Sequence, residues 1–142
     1  MNKIFDAAIT DIMTTRLVTV SMDDSLEVIK EIFDNVSFRH VLVVDGDVLV
    51  GVISDRDLLL AISPNVGTIS ETARDKSTMS KRAHQIMSRE LKTLTIESRV
   101  EEAVDLFDLH TISCLPVVDK ENRAVGIVSW RDLITLLVSL RG

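Results

Sequence analysis

Ser54 and Asp57 stand three residues apart in the run Gly51-Val52-Ile53-Ser54-Asp55-Arg56-Asp57-Leu58. The same spacing returns in Gly126-Ile127-Val128-Ser129-Trp130-Arg131-Asp132-Leu133. A β-branched run precedes each serine and a helical pattern follows it, so each serine falls where a strand gives way to a helix. At such a junction a hydroxyl and free backbone N–H groups suit a phosphate. A carboxylate one turn further on can accept two hydrogen bonds from a ribose diol. Arg56 and Arg131, lying between, can neutralise phosphate charge. The same residues also have a purely structural use. Serine followed three residues later by an acid is a capping box, in which two side chains satisfy orphan backbone N–H groups. Recurrence of strand, Ser, Arg and Asp in both places weakens the cap-only reading without removing it, because a duplicated cap also recurs.

Other chemistry is hard to assemble from this chain. His40, His84, His110 and Cys114 share no metal-ligand spacing. GVISD lacks the second glycine of a nucleophile elbow, and there is no G-x-x-x-x-G-K-[ST] loop. Nothing sets a nucleophile beside a base, so no enzymatic activity is expected. The net charge of −6 leaves no broad basic surface for DNA or RNA, although a small anion can still be held locally. No stretch approaches the roughly 20 uninterrupted apolar residues that span a bilayer. The start, MNKIFDAAITDIM, carries acids and lacks the apolar region of a secretory signal. Cys114, the single cysteine, lies among Ile112, Leu115 and Val117 and reads as core; a cytoplasmic location is expected.

The elements that position these groups form a unit that occurs twice. Ile12-Met13-Thr14 opens one copy and Ile86-Met87-Ser88 the other, and the second copy carries one inserted residue before its closing motif. Residues 1–11 read as an amphipathic helix with Ile4, Phe5, Ala8 and Ile9 on one face. An extended piece follows, from Leu17 to Val20. Asp23-Asp24-Ser25 then starts a helix that faces inward with Leu26, Ile29, Ile32, Phe33 and Val36. Asp45-Gly46-Asp47 turns a hairpin, and Ser54 caps a helix running to Ile62. Residues 63–79, polar and interrupted by Pro64 and Gly67, read as a connection. The second copy repeats the order. It has a helix around 80–87, an extended piece from Thr93 to Ile96, and a helix with Val100, Ala103, Leu106 and Phe107 inward. Strands at Leu115–Val118 and Ala124–Ser129 flank a turn, and a last helix runs from Trp130 to about Leu140. The expected fold is α/β (α+β), two pseudo-symmetric β-α-β-β-α repeats. They occupy 1–62 and 80–142, joined by 63–79, and pack together because roughly 60 residues do not bury a sheet alone.

In order and twice over, the IMT/IMS openings, the VLVVDGD and LPVVDKEN turns and GVISDRDL/GIVSWRDL resemble tandem CBS domains, the pair called a Bateman module. The resemblance covers nearly the whole chain, and a narrower one is to AcuB-type acetoin-utilisation proteins. It implies a regulatory module that binds adenine nucleotides (AMP, ADP or ATP) in clefts between the two repeats. By that resemblance Asp57 and Asp132 hold ribose hydroxyls, with Ser54 and Ser129 near phosphate or ribose. Val52 and Ile127 line the adenine slot, Thr19 and Thr93 border it, and Arg39-His40 match a phosphate-binding basic pair. It further implies a homodimer joined through helix faces. The stripe Leu133, Ile134, Leu137 and Val138 is compatible with that, or with burial inside one chain. Any effector would be a separate protein, since 142 residues leave no room for one.

The copies are unequal. Ser113-Cys114 replace Arg39-His40, Pro116 stands at the place of Leu42, and Trp130 stands at that of Asp55, where an indole can stack on a base or fill the cleft. The first copy is therefore the better phosphate site. The alternative is a scaffold or oligomerisation module with one or both clefts vestigial.

Overall fold

A computed structural model describes residues 3–141. Its first half comprises α1 (Lys3–Asp6), a 3-10 turn (Ile9–Asp11), β1 (Thr19–Ser21), α2 (Leu26–Asn35), β2 (His40–Asp45), β3 (Val48–Ser54) and α3 (Asp55–Ala61). Then come α4 (Ala73–Ser77), a 3-10 turn (Thr78–Ser80) and α5 (Ala83–Ile86). β4 (Leu94–Thr95), α6 (Val100–Leu109), β5 (Cys114–Val118), β6 (Ala124–Ser129) and α7 (Trp130–Ser139) complete it. β1 runs parallel to β2 and β2 antiparallel to β3; β4, β5 and β6 repeat that topology. Even the irregularities recur, with register slips at Val43/Val44 and at Val117/Val118. This is the β-α-β-β-α order that the periodicity predicts for each copy.

The described residues fall into two compact units, and these are not the two linear copies. One unit joins the chain up to Leu17 with the chain from Leu91 onward; the other is Val18–Glu90. The lead-in of each copy thus belongs with the sheet of the other copy. In the first unit Ile9 is buried with Leu94, Val100, Phe107, Leu115, Val128 and Leu133. In the second, Ala83 and Met87 are buried with Val20, Leu26, Ile29, Val41, Ile53 and Leu58. Each fully buried Val, Leu or Ile contributes about 1.5–3 kcal/mol, which lead-ins this short cannot obtain alone.

Backbone hydrogen bonds repeat the same exchange. Ile9 N–H donates to Ser98 O at 2.9 Å and Val100 N–H to Ala7 O at 2.9 Å. At the corresponding places Ala83 N–H donates to Asp24 O and Leu26 N–H to Lys81 O, both at 2.8 Å. These bonds correct the expectation of one helix over 1–11, whose first two residues lie outside the described ones. Ala8 is extended (φ −71, ψ 140), because Ala7 and Ile9 bond to the start of α6 rather than to a continuing helix. Eleven residues are too few for a helix to persist against such competition.

Three smaller corrections follow. The helix expected around 80–87 is confined to α5, residues 80–82 being taken up by the end of a 3-10 turn and by Arg82 paired with Ser25. Val36 lies beyond α2 as an extended, exposed cap residue. The connection 63–79 holds α4, which is closed by a capping box. Thr72 N–H donates to Asp75 Oδ2 at 2.9 Å, Asp75 N–H donates to Thr72 Oγ1 at 3.2 Å, and the Ser63 hydroxyl donates to Asp75 Oδ1 at 2.8 Å. The Thr-x-x-Asp signature of that cap was present in the sequence at Thr72 and Asp75.

Candidate functional site

Both strand-to-helix junctions form as the motif requires. Ser54 ends β3 and Ser129 ends β6, each with extended backbone, and a helix begins at the next residue. At the first junction Ser54 N–H donates to Asp57 Oδ2 at 2.9 Å, and Asp57 N–H donates to Ser54 Oγ at 3.0 Å. At the second, Ser129 N–H donates to Asp132 Oδ2 at 2.8 Å, and the Ser129 hydroxyl donates to the same oxygen at 3.2 Å. The structural use of these residues is therefore real, and a cap of this kind contributes about 0.5–2 kcal/mol. It leaves Ser54, Asp57, Ser129 and Asp132 half-buried, and Arg56 and Arg131 exposed.

Strand register assembles the other candidates around these caps. Thr19 pairs with Leu42 and Leu42 with Val52, one row across β1, β2 and β3. His40 lies opposite Ser54, and Asp55 N–H donates to Arg39 O at 2.9 Å. Thr19, Arg39, His40, Val52, Ser54, Arg56 and Asp57 thus all belong to the unit Val18–Glu90, on adjacent strands and the helix start that follows them. In the other unit Ile127 pairs with Pro116, Cys114 lies opposite Ser129, and Thr93 immediately precedes β4.

Two hydroxyl residues join these rows that the motif pattern alone did not single out. Ser88 bridges to Val52 through Ser88 N–H to Val52 O at 2.9 Å and Val52 N–H to Ser88 O at 3.2 Å. Thr14 bridges to Ile127 through two bonds of 2.9 Å. The Thr14 hydroxyl also donates to Asp132 Oδ1 at 3.4 Å. The signal was the repeated Ile-Met-Thr/Ser opening itself, whose last residue is this hydroxyl. Its methionine explains the motif glycine. A Cβ on Gly51 would stand 2.5 Å from Met87 Sδ and 2.8 Å from its Cγ, and one on Gly126 would collide with Met13 Sδ.

The electrostatics differ between the junctions. Burial pulls the His40 imidazole below its ordinary value, against the Asp55 and Asp57 carboxylates that raise it, and Arg39 lowers it further. The imidazolium form of His40 is therefore disfavoured, and its neighbour Arg39 is exposed. At the second junction Cys114 is buried and Ser113 carries no charge. Trp130 packs on Phe107 of α6, ring centroids 5.0 Å apart, and stays 51% exposed. Among the described residues no group of three or more His, Cys, Asp or Glu is placed to hold a metal ion. No helix among them is long and apolar enough to cross a membrane.

The family model of the CBS domain matches residues 9–64 and 83–139. A CBS domain-containing protein of Dictyostelium discoideum is 34% identical over 131 residues, 91% of this chain and 90% of its own length. Of three longer curated relatives the chain spans only 21%, 22% and 25%. The CBS domain pair of protein MJ0100, solved in complex with 5′-methylthioadenosine and S-adenosyl-L-methionine, superposes with a TM-score of 0.77. It shares 25% identity, over 94% of this chain and 97% of that one. A Vibrio cholerae protein described as an acetoin utilization protein, AcuB, gives a TM-score of 0.75 at 26% identity, covering 94% and 91%.

Proposed function

The chain belongs to the CBS-domain family, and from that premise we propose that it is a non-enzymatic regulatory module binding an adenosine-containing ligand at its Ser-x-x-Asp junctions. The observation that carries this reading is the assembly, within one unit, of Thr19, Val52, Ser54 and Asp57 on adjoining strands and the helix start after them. An apolar strand residue offers a surface to a purine, a serine hydroxyl can donate to phosphate or ribose, and a carboxylate accepts from the diol. Methylthioadenosine and S-adenosylmethionine, the ligands of MJ0100, share the adenosine that such a site would read. AMP, ADP or ATP are the ligands we assign here, with Arg39 as the phosphate-side cation.

Ligand binding would act by shifting a conformational equilibrium that a partner reads. We assign a homodimer, joined through the α7 stripe, together with a separate effector protein. Ile134, Leu137 and Val138 are 55%, 56% and 50% exposed, an apolar stripe of the kind that marks interaction surfaces. A cytoplasmic setting belongs to the same proposal. Neither nucleic acid nor membrane is among the assigned partners, the net charge being −6.

Thermal-shift titration of the full chain with AMP, ADP, ATP, methylthioadenosine and S-adenosylmethionine tests the reading. Millimolar ligand should raise the midpoint by mass action, and Asp57→Ala combined with Asp132→Ala should abolish the rise. Absence of any stabilisation would leave the second reading, a scaffold with vestigial sites. The engagement of Asp132 by Thr14 and Ser129 favours that reading at the second junction.

A further inference from the structure

A carboxylate offers about four lone-pair positions for hydrogen bonds. At Asp57 the described residues occupy one of them, through Ser54 N–H on Oδ2. At Asp132 they occupy three: Ser129 N–H and the Ser129 hydroxyl on Oδ2, and the Thr14 hydroxyl on Oδ1. The two serines also differ. Ser54 Oγ accepts from Asp57 N–H and keeps its proton available to donate outward, whereas Ser129 directs its proton into Asp132. Ser88, the counterpart of Thr14, makes no side-chain hydrogen bond to Asp57 among the described residues, although both residues bridge to the strand in the same way.

We infer that Thr14 sets how the second junction reads a ribose, so that Asp57 takes both hydroxyls of a cis-diol while Asp132 takes one. The inference rests on the adenosine reading above and adds the chemistry by which the two junctions differ. Thr14 is a positioning residue: it acts through Asp132, and its backbone bridge to Ile127 fixes where its hydroxyl lies. The consequence is a pair of sites with different sugar specificity. The Asp57 junction requires a ribonucleoside, and the Asp132 junction tolerates loss of one hydroxyl.

Isothermal titration of the full chain with adenosine, 2′-deoxyadenosine and 3′-deoxyadenosine tests this. In the Asp132→Ala chain, which keeps only the Asp57 junction, each deoxy analogue should bind about tenfold or more weakly than adenosine, the factor for losing one hydrogen bond to a charged group. In the Asp57→Ala chain only one of the two analogues should weaken, the other staying within about twofold of adenosine. Adding Thr14→Val there frees Oδ1, and both analogues should then weaken. Thr14→Ala serves if valine disturbs the bridge. Adenosine binding at the Asp132 junction that appears only with valine or alanine overturns the assignment of one ribose hydroxyl to Asp132. The inference is overturned if both analogues weaken equally at both junctions, if removing the Thr14 hydroxyl leaves the pattern unchanged, or if that junction stays empty whatever residue stands at 14. Failure of adenosine and of AMP, ADP and ATP alike to bind any chain, wild type included, overturns the ligand reading beneath it too, which separates the two failures.

Discussion

Met87 lies across Gly51 so closely that a methyl group on that glycine would stand 3.0 Å from Met87 Cβ as well as 2.5 Å from its sulfur. The sulfur can swing away, but the Cβ is fixed to the backbone that Ser88 holds against Val52. Gly51→Ala should therefore destabilise the chain by about 1–3 kcal/mol, as overpacking of a filled site does. Gly51→Ala and Met87→Ala should be strongly non-additive in a urea double-mutant cycle. Simple additivity would show that the contact is not what requires glycine.

His40 makes stability depend on pH with a definite sign. Its imidazole is held below the ordinary 6.5 by burial, so the unfolded chain binds its proton first. Stability is then full above about pH 6.5 and falls as pH drops through the lowered folded value. Urea midpoints from pH 7.5 to 5 should decline for the wild type and decline less for His40→Gln.

In the proposed site the same group would link ligand charge to protons. A phosphate beside Arg39 and His40 would favour the imidazolium, so on lowering pH from 7.5 to 6 AMP binding should gain more in the wild type than in His40→Gln, a comparison that cancels the phosphate's own protonation near pH 6, while adenosine binding should respond alike in both. Titrations in buffers of different ionisation enthalpy would register the proton taken up. Identical pH dependence of AMP binding in the wild type and in His40→Gln would remove His40 from the phosphate side.

Thr72 separates capping from binding. It closes α4 through Asp75, and among the described residues it makes no side-chain hydrogen bond to a junction residue. Thr72→Ala should lower stability by about 1 kcal/mol and leave adenosine affinity unchanged. Ser54→Ala should lower both. If Ser54→Ala affected stability alone, the first junction would be a cap and nothing more.

The exposed stripe on α7 can be tested without touching the core. Leu137→Glu should convert a sedimenting dimer to a monomer with the far-UV spectrum preserved, since Leu137 is exposed in the chain while Leu133 of the same helix is buried. A wild-type chain that sediments as a monomer would end the dimer proposal.

From its residues alone the chain determined the duplicated unit, both hairpins and both serine caps. Hydrophobic period, Gly46 in the left-handed region of its turn (φ 63) and Ser-x-x-Asp spacing act over a few residues and read directly. The small helix behind Thr72 was equally local, but it lay in a stretch whose Pro64 and Gly67 pointed to a loop. Tertiary structure alone decided which lead-in joins which sheet, why Gly51 and Gly126 must lack a side chain, and which carboxylate is already engaged. Thr14 and Asp132 are 118 residues apart in sequence. Such pairs are chosen by where the lead-in finds an apolar surface to cover, and no local period records that choice.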